Sequence, residues 1–160
     1  MALHATRNDL GENAKKVAVN VLNGTLVDMN DLTNCVRMAH WTMKGPNFIG
    51  LHTMLEGFYN ELFAGADDVA ERIVQLGGTP DGTSQLISDK SRLKPYSQAT
   101  TYTMDHVKEL ADRFAAFAKS VREGIDSTDE AGDADTADLL TALSRDIDKK
   151  LWMLEAHLEK

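Results

Sequence analysis

The chain has 160 residues, 42% of them hydrophobic, with 25 acidic residues against 17 basic and a net charge of −8. That is one domain's worth of sequence with enough apolar residues for a core, which excludes a disordered chain. The acidic balance disfavours non-specific attraction to nucleic acid and suits a protein that attracts cations.

The lone cysteine, Cys35, cannot form an internal disulfide. The first residues, MALHATRNDLGENAKK, carry no apolar signal-peptide segment, and no apolar run approaches the roughly 18 residues of a membrane span. The expected setting is therefore the cytoplasm, with no membrane partner.

Residues 1–11 read as a short N-terminal tail, and residues 12–160 as a single bundle. A first helix is expected from about Glu12 to Met43, with Val19, Leu22, Leu26, Met29, Thr33, Val36 and His40 recurring at spacings of three and four. Lys44-Gly45-Pro46 ends it, because glycine and proline both terminate helices. The second helix runs from about Asn47 to Leu76 along a stripe of Phe48, Leu51, Leu55, Phe58, Leu62, Val69, Ile73 and Leu76, and Gly77-Gly78 closes it.

Residues 77–101 are rich in Gly, Ser, Thr and Pro and hold one short helix around Ser84 to Lys90. Neighbouring antiparallel helices are joined by about 2 to 8 residues, so a connection this long fits a crossover between the two ends of a bundle. The third helix spans about Thr103 to Ile125, with Val107, Leu110, Phe114, Phe117 and Val121 on its stripe. DSTDEAGD then reads as a polar turn, and the fourth helix spans about Asp135 to Leu158, with Leu139, Leu143, Ile147, Leu151 and Leu154. Strand signals are weak throughout. The expected fold is all-α: a ferritin-like four-helix bundle whose long crossover, between helices 2 and 3, carries a short extra helix.

The second helix has two faces. At about 100° per residue with Leu51 at zero, its stripe from Leu51 to Leu76 falls between about −20° and +40°. His52, Glu56, Asp67 and Glu71 fall between about 100° and 200°, away from the core. A polar outward face is ordinarily solvated trim. This one also carries Ile49, Phe63 and Val74, a mixture that points instead to a second buried surface such as a subunit interface.

His52 with Glu56, and Asp67 with Glu71, are both i,i+4 pairs able to share an ion. Glu56 and Asp67 are separated by about 16 Å of helix rise, so the pairs cannot meet within one chain. Across a two-fold axis they can. Facing positions on an antiparallel copy have residue numbers of constant sum, and that sum is 123 both for His52 with Glu71 and for Glu56 with Asp67. One register thus builds two equivalent sites, on either side of an axis near Phe63. Imidazole with several carboxylates suits Fe(II), with Zn and Mn as competitors. His40, at the end of the first helix, either completes the set or is a core histidine on the apolar stripe. No Glu-x-x-His occurs in the chain, so iron would not be held by the usual centre inside one bundle.

The run AHWTMKGPNFIGLHTMLEGFYNELFAGADDVAERIVQLGG closely resembles the signature of the Dps family, the miniferritins known as DNA-binding proteins from starved cells. TRNDL near the start and DTADLLTALSRDIDKKLWMLEAHL near the end resemble the family's corresponding segments, so the likeness covers roughly residues 6 to 158. The resemblance implies a homododecameric shell built on two-fold dimers. It implies ferroxidase centres shared by two subunits, oxidation of Fe(II) with hydrogen peroxide preferred over oxygen, and storage of Fe(III) as mineral, with no organic cofactor.

By the same resemblance, His40, His52 and Glu56 come from one subunit and Asp67 and Glu71 from its two-fold mate. Glu56 stands where many members have Asp, which lengthens one ligand arm. Trp41 matches a family aromatic beside the centre that quenches oxidising equivalents, or else is an interface tryptophan. DEAGDADTAD resembles the lining of the three-fold pores that admit iron, with Asp133, Asp135 and Asp138 as candidates; each is also a candidate helix cap. Twelve chains at −8 each give about −96, which concentrates cations at the shell.

Members that bind DNA strongly carry a mobile lysine-rich tail. Here MALHA holds no lysine, Arg7, Lys15 and Lys16 are the only basic residues among the first sixteen, and the end, HLEK, is too short for a basic arm. DNA binding is therefore expected to be weak or absent, and nucleoid association is the alternative to iron storage. A helical interaction module with a merely solvated second face is a third reading.

Overall fold

The computed structural model describes residues 3–158, which form five helices: α1 (Glu12–Thr42), α2 (Phe48–Gln75), α3 (Ser84–Lys90), α4 (Thr103–Glu130) and α5 (Ala134–Glu155). α1 packs on α2 and α4 packs on α5; α1 meets α4, and α2 meets α5, to close a four-helix bundle. The short α3 lies on α1. The expected all-α bundle with a helix in its crossover is therefore the fold.

The stripes bury as their spacing requires. Leu51, Leu55, Phe58, Leu62, Val69, Ile73 and Leu76 are all buried, and the Phe58 ring meets Phe114 edge-on at 5.8 Å. Val107, Leu110, Phe114, Phe117 and Val121 bury from α4. Three expectations need correction. Phe48 is 40% exposed, because it opens α2 on the outer side. On α5 the buried seam runs through Leu140, Leu143, Ile147 and Leu154, while Leu139 and Leu151 lie at its margin. DSTDEAGD is not a turn throughout: Asp126 to Glu130 continue α4, and only residues 131–133 turn the chain, at Gly132 with φ of 88°. Polar residues on an exposed helix face look like a loop in sequence, but only the glycine meets the left-handed conformation without a Cβ penalty.

The first connection is tight. Gly45 has φ of 125°, and a Cβ there would lie 3.0 Å from the Tyr102 ring. Beside it Lys44 N–H donates to Thr101 O at 2.7 Å and Thr103 N–H donates to Lys44 O at 3.0 Å, so the crossover returns across the end of α1.

Buried polar side chains hold the rest of the crossover. Asp28, 1% exposed, accepts from the backbone N–H of Arg92 at 2.9 Å and from its Nε at 2.8 Å. Asn23 donates to Thr79 O and accepts from Asp81 N–H. Arg113 donates to the carbonyls of Lys94 and Pro95. The long segment is thus fixed by satisfied polar contacts rather than by regular structure. Among the described residues no helix is long and apolar enough to cross a membrane.

Candidate metal centre

His40 lies in the last turn of α1 and His52 in the second turn of α2, on either side of the Gly45 connection. Their rings stack, with centroids 3.7 Å apart and planes 18° from parallel. His40 Nδ1 is 2.9 Å from the carbonyl oxygen of His52, and His52 Nδ1 is 2.9 Å from the carbonyl oxygen of His40. A carbonyl only accepts, so both Nδ1 atoms carry hydrogen.

The helix end explains half of this exchange. Lys44 N–H, the helical partner that His40 O would have, donates to Thr101 O instead. His40 O is therefore one of the unsatisfied carbonyls of a helix C-terminus, and the His52 ring satisfies it. In the neutral imidazoles Nε2 is then the atom left with a free lone pair on each ring. Fixing a ring through Nδ1–H so that Nε2 is presented is how proteins orient histidine ligands. The Phe48 ring covers the flank of His52 at 5.2 Å.

Glu56 follows His52 by one helical turn and is exposed, and Asp67 and Glu71 are exposed further along the same side of α2. Among the described residues no three His, Cys, Asp or Glu side chains converge within one chain. The stacked His40 and His52 lie at one end of this face with Glu56 one turn on, and Asp67 with Glu71 stand well along it. Large apolar residues lie between and around them: Ile49 is 70% exposed, Trp41 66%, Phe63 63% and Val74 58%. That density of exposed apolar side chains marks a contact surface. Arg37, which the sequence reading passed over, sits 4.3 Å from the Tyr59 ring and 5.4 Å from that of Trp41, and so fixes the edge of the patch by cation–π contact.

The three aspartates at the start of α5 divide. Asp133 is 1% exposed and caps α5, accepting from the Thr136 N–H at 3.0 Å and from the Thr136 hydroxyl at 2.6 Å. Arg72 NH2 donates to it at 2.7 Å, and Arg72 Nε donates to Thr136 Oγ1 at 3.0 Å. Its oxygens are committed inside the protein, so a pore-lining role does not fit it; of the two roles read from the sequence it takes the cap. Asp135 and Asp138 are exposed. Arg72 was also missed, although it falls at about −60° on the α2 wheel, against the buried stripe. Cys35 is a free, buried thiol whose pKa burial pushes up to about 12, with Asp31 adding to the shift. It stays protonated at neutral pH and is therefore poor as a ligand or nucleophile.

Comparison with known proteins bears on this arrangement. The sequence profile of the ferritin-like domain matches residues 19–160. A DNA protection during starvation protein of Agrobacterium fabrum is 44% identical over 160 residues, covering 100% of this chain and 99% of that protein. The Mycobacterium smegmatis Dps structure superposes with a TM-score of 0.93 at 30% identity, covering 98% of this chain and 95% of the other. A Dps protein of Vibrio cholerae O1, described as a member of a broad superfamily of ferritin-like diiron-carboxylate proteins, superposes with a TM-score of 0.91 at 25% identity over 99% of both chains.

Proposed function

The chain belongs to the Dps family of ferritin-like proteins, and on that footing we propose that it oxidises Fe(II) at centres shared by two subunits and stores the ferric product inside a dodecameric shell. The observation that carries this reading is the reciprocal histidine clamp. It leaves a free Nε2 lone pair on each of two stacked rings, beside an exposed, apolar-rimmed face that bears Glu56, Asp67 and Glu71.

His40, His52 and Glu56 of one chain would hold iron together with Asp67 and Glu71 of a two-fold mate. Carboxylate oxygens are hard donors that favour the higher charge of Fe(III), so they make the bound Fe(II) easier to oxidise. Hydrogen peroxide is the oxidant: one molecule takes one electron from each of two Fe(II) and, with two protons, leaves as two waters. Trp41, Ile49, Phe63 and Val74 would close over the centre when two chains pair and keep bulk water from it. The imidazoles need no rearrangement on binding, because their Nδ1 atoms are already satisfied. The candidates for the pore that admits iron narrow to Asp135 and Asp138. The setting is cytoplasmic, and protection against oxidative damage follows from consuming Fe(II) and peroxide together.

DNA binding is the weaker reading. Of the three basic residues near the start, Lys15 donates to Asn8 O and Lys16 pairs with Glu12 on α1, which leaves Arg7 alone exposed ahead of the helix. The described residues before α1 touch the end of α2, with His4 N–H donating to Gly77 O at 2.7 Å and the Thr6 hydroxyl donating to Gln75 O.

The test is Fe(II) oxidation by hydrogen peroxide, followed by ferric absorbance, in wild type, His52→Ala and Glu71→Ala. Both variants should lose most of the fast phase. If both oxidise and mineralise iron like wild type, the shared centre is wrong.

A further inference from the structure

Beside the proposed metal-binding face the chain holds a half-buried phenol paired with a buried imidazole, which iron binding leaves without a task. Tyr96, in the crossover, places its hydroxyl 2.6 Å from Nδ1 of His106 in the first turn of α4. The two rings are 11° from parallel. On the other side, His106 Nε2 is 3.3 Å from Thr42 Oγ1, and the Thr42 hydroxyl donates to Met38 O at 2.8 Å. The direction of every bond follows from that last carbonyl, which can only accept. Thr42 sends its hydrogen to Met38, so its oxygen receives Nε2–H. Nδ1 of the neutral ring is then bare, and the phenol donates to it.

His106 is 1% exposed. Burial holds its imidazole below the ordinary histidine value, against opposing Glu109 and Asp105. Burial, with Glu109 and Cys35 adding and Arg113 opposing, raises the phenol well above its own. At neutral pH the pair is therefore uncharged, with the proton on oxygen. Arg113 lies 4.7 Å over the Tyr96 ring and holds the crossover carbonyls on either side of the Lys94–Pro95 bond, so the ring is fixed in place.

A buried phenol loses an electron at low cost only if its proton has somewhere to go at the same moment. Here the acceptor is already hydrogen-bonded to it. Thr42, which touches His106, is two residues from His40 and next to Trp41, so a covalent path of two residues joins the pair to the ligand face. Resting on the iron-oxidation reading above, we infer that Tyr96 and His106 form a one-electron relay that quenches radicals arising when iron and peroxide react one electron at a time.

The oxidant is hydroxyl radical, formed with hydroxide when a single Fe(II) reduces hydrogen peroxide. Tyr96 gives one electron, and the radical becomes a second hydroxide. The phenol O–H bond breaks and its proton moves to His106 Nδ1. A neutral phenoxyl radical and an imidazolium remain, the imidazolium balancing the new hydroxide. A second Fe(II) then returns the electron, and the proton goes back to the phenoxyl oxygen. The sum is two Fe(II) oxidised per peroxide, with the pair restored.

The experiment is electron paramagnetic resonance of full-length protein loaded with Fe(II), mixed with peroxide and freeze-quenched, alongside ferric absorbance from the same mixtures. The chain has three tyrosines, Tyr59, Tyr96 and Tyr102, so each is replaced singly by phenylalanine. The expected result is a tyrosyl signal that narrows on ring deuteration of tyrosine. Tyr96→Phe should lose it at least tenfold while Tyr59→Phe and Tyr102→Phe keep it. His106→Gln, which removes the proton acceptor, should shorten the lifetime of the signal while leaving Tyr96 in place. Ferric formation with no tyrosyl signal, or with a signal that survives Tyr96→Phe, overturns the relay and leaves the ferroxidase reading intact. No ferric formation in wild type overturns both.

Discussion

His40 and His52 each donate a ring N–H to the other's backbone carbonyl, both at 2.9 Å, across the connection between α1 and α2. The exchange ties two helix ends together and leaves Nε2 of each ring free. His52→Ala removes one of these bonds and the stacked ring, and leaves His40 O without a donor. It should destabilise the protein by about 1–2 kcal/mol. Urea denaturation at matched protein concentration, so that assembly contributes equally, reads this directly. An unchanged midpoint would mean that the clamp orients the rings without supporting the fold.

A centre divided between chains can be complemented. His52→Ala damages the half that carries the histidines, and Glu71→Ala damages the other half. If the two inactive variants are unfolded together and reassembled, random pairing should make about one centre in four from two undamaged halves. Peroxide-driven iron oxidation should then recover to about a quarter of wild type. Reassembling each variant alone should recover nothing. A centre housed within one chain would give no recovery in the mixture either.

Arg72 and Asp133 form a buried pair between α2 and the start of α5, at 2.7 Å, with side chains 10% and 1% exposed. Removing one partner strands the other, and Asp133 is also the α5 cap. Asp133→Ala should therefore cost about 3–5 kcal/mol, whereas Asp138→Ala, on an exposed position of the same helix, should stay within about 0.5 kcal/mol. Thermal unfolding of the two variants separates the buried cap from the exposed carboxylate.

His106 gives a signed pH dependence. Burial lowers its pKa in the folded chain from an ordinary value of 6.5. Between that value and the lower folded one, the unfolded chain binds more protons than the folded chain. Stability is therefore fully present above about pH 6.5 and declines as the pH falls through the window. His106→Gln should flatten this part of the profile, whatever the carboxylates do at lower pH. Denaturant midpoints from pH 7.5 down to 5 in both proteins provide the measurement.

Retention of DNA in a gel should be weak at moderate ionic strength and vanish as salt rises, because phosphate contacts carry such affinity. The net charge of −8 and the docked Lys15 and Lys16 leave little to supply them, although a dodecameric shell, if formed as proposed, would gain some avidity from twelve weak patches. Tight retention above physiological salt would restore the nucleoid-binding reading.

The helices were legible because their apolar stripes are long and regular, and even the bounds of α3, Ser84–Lys90, could be read. The end of α4 could not, because Asp126 to Glu130 are all polar, with Thr128 alone of them buried, and only Gly132 marks the turn. The two faces of α2 were legible from wheel angles, since exposed Ile49, Phe63 and Val74 break the polar pattern. The contacts His40–His52, Arg72–Asp133 and Tyr96–His106 were not. Each joins residues from different elements, and periodicity within one helix holds no information about which side chain meets which across the bundle. His106 even lies on the apolar stripe of α4, one turn before Leu110, where it reads as a core residue.

No three ligands converge within one chain among the described residues. If the centre is shared as proposed, a chain that has not yet met its mate offers iron no complete ligand set: the His40–His52 pair lacks the Asp67 and Glu71 of a second chain. On the proposed reading, iron oxidation would be withheld from lone chains and would begin only with the pairing that also starts the container for its product. Assembly would then act as an interlock on the reaction, sparing the cell a freely diffusing catalyst of iron oxidation with nowhere to put the rust.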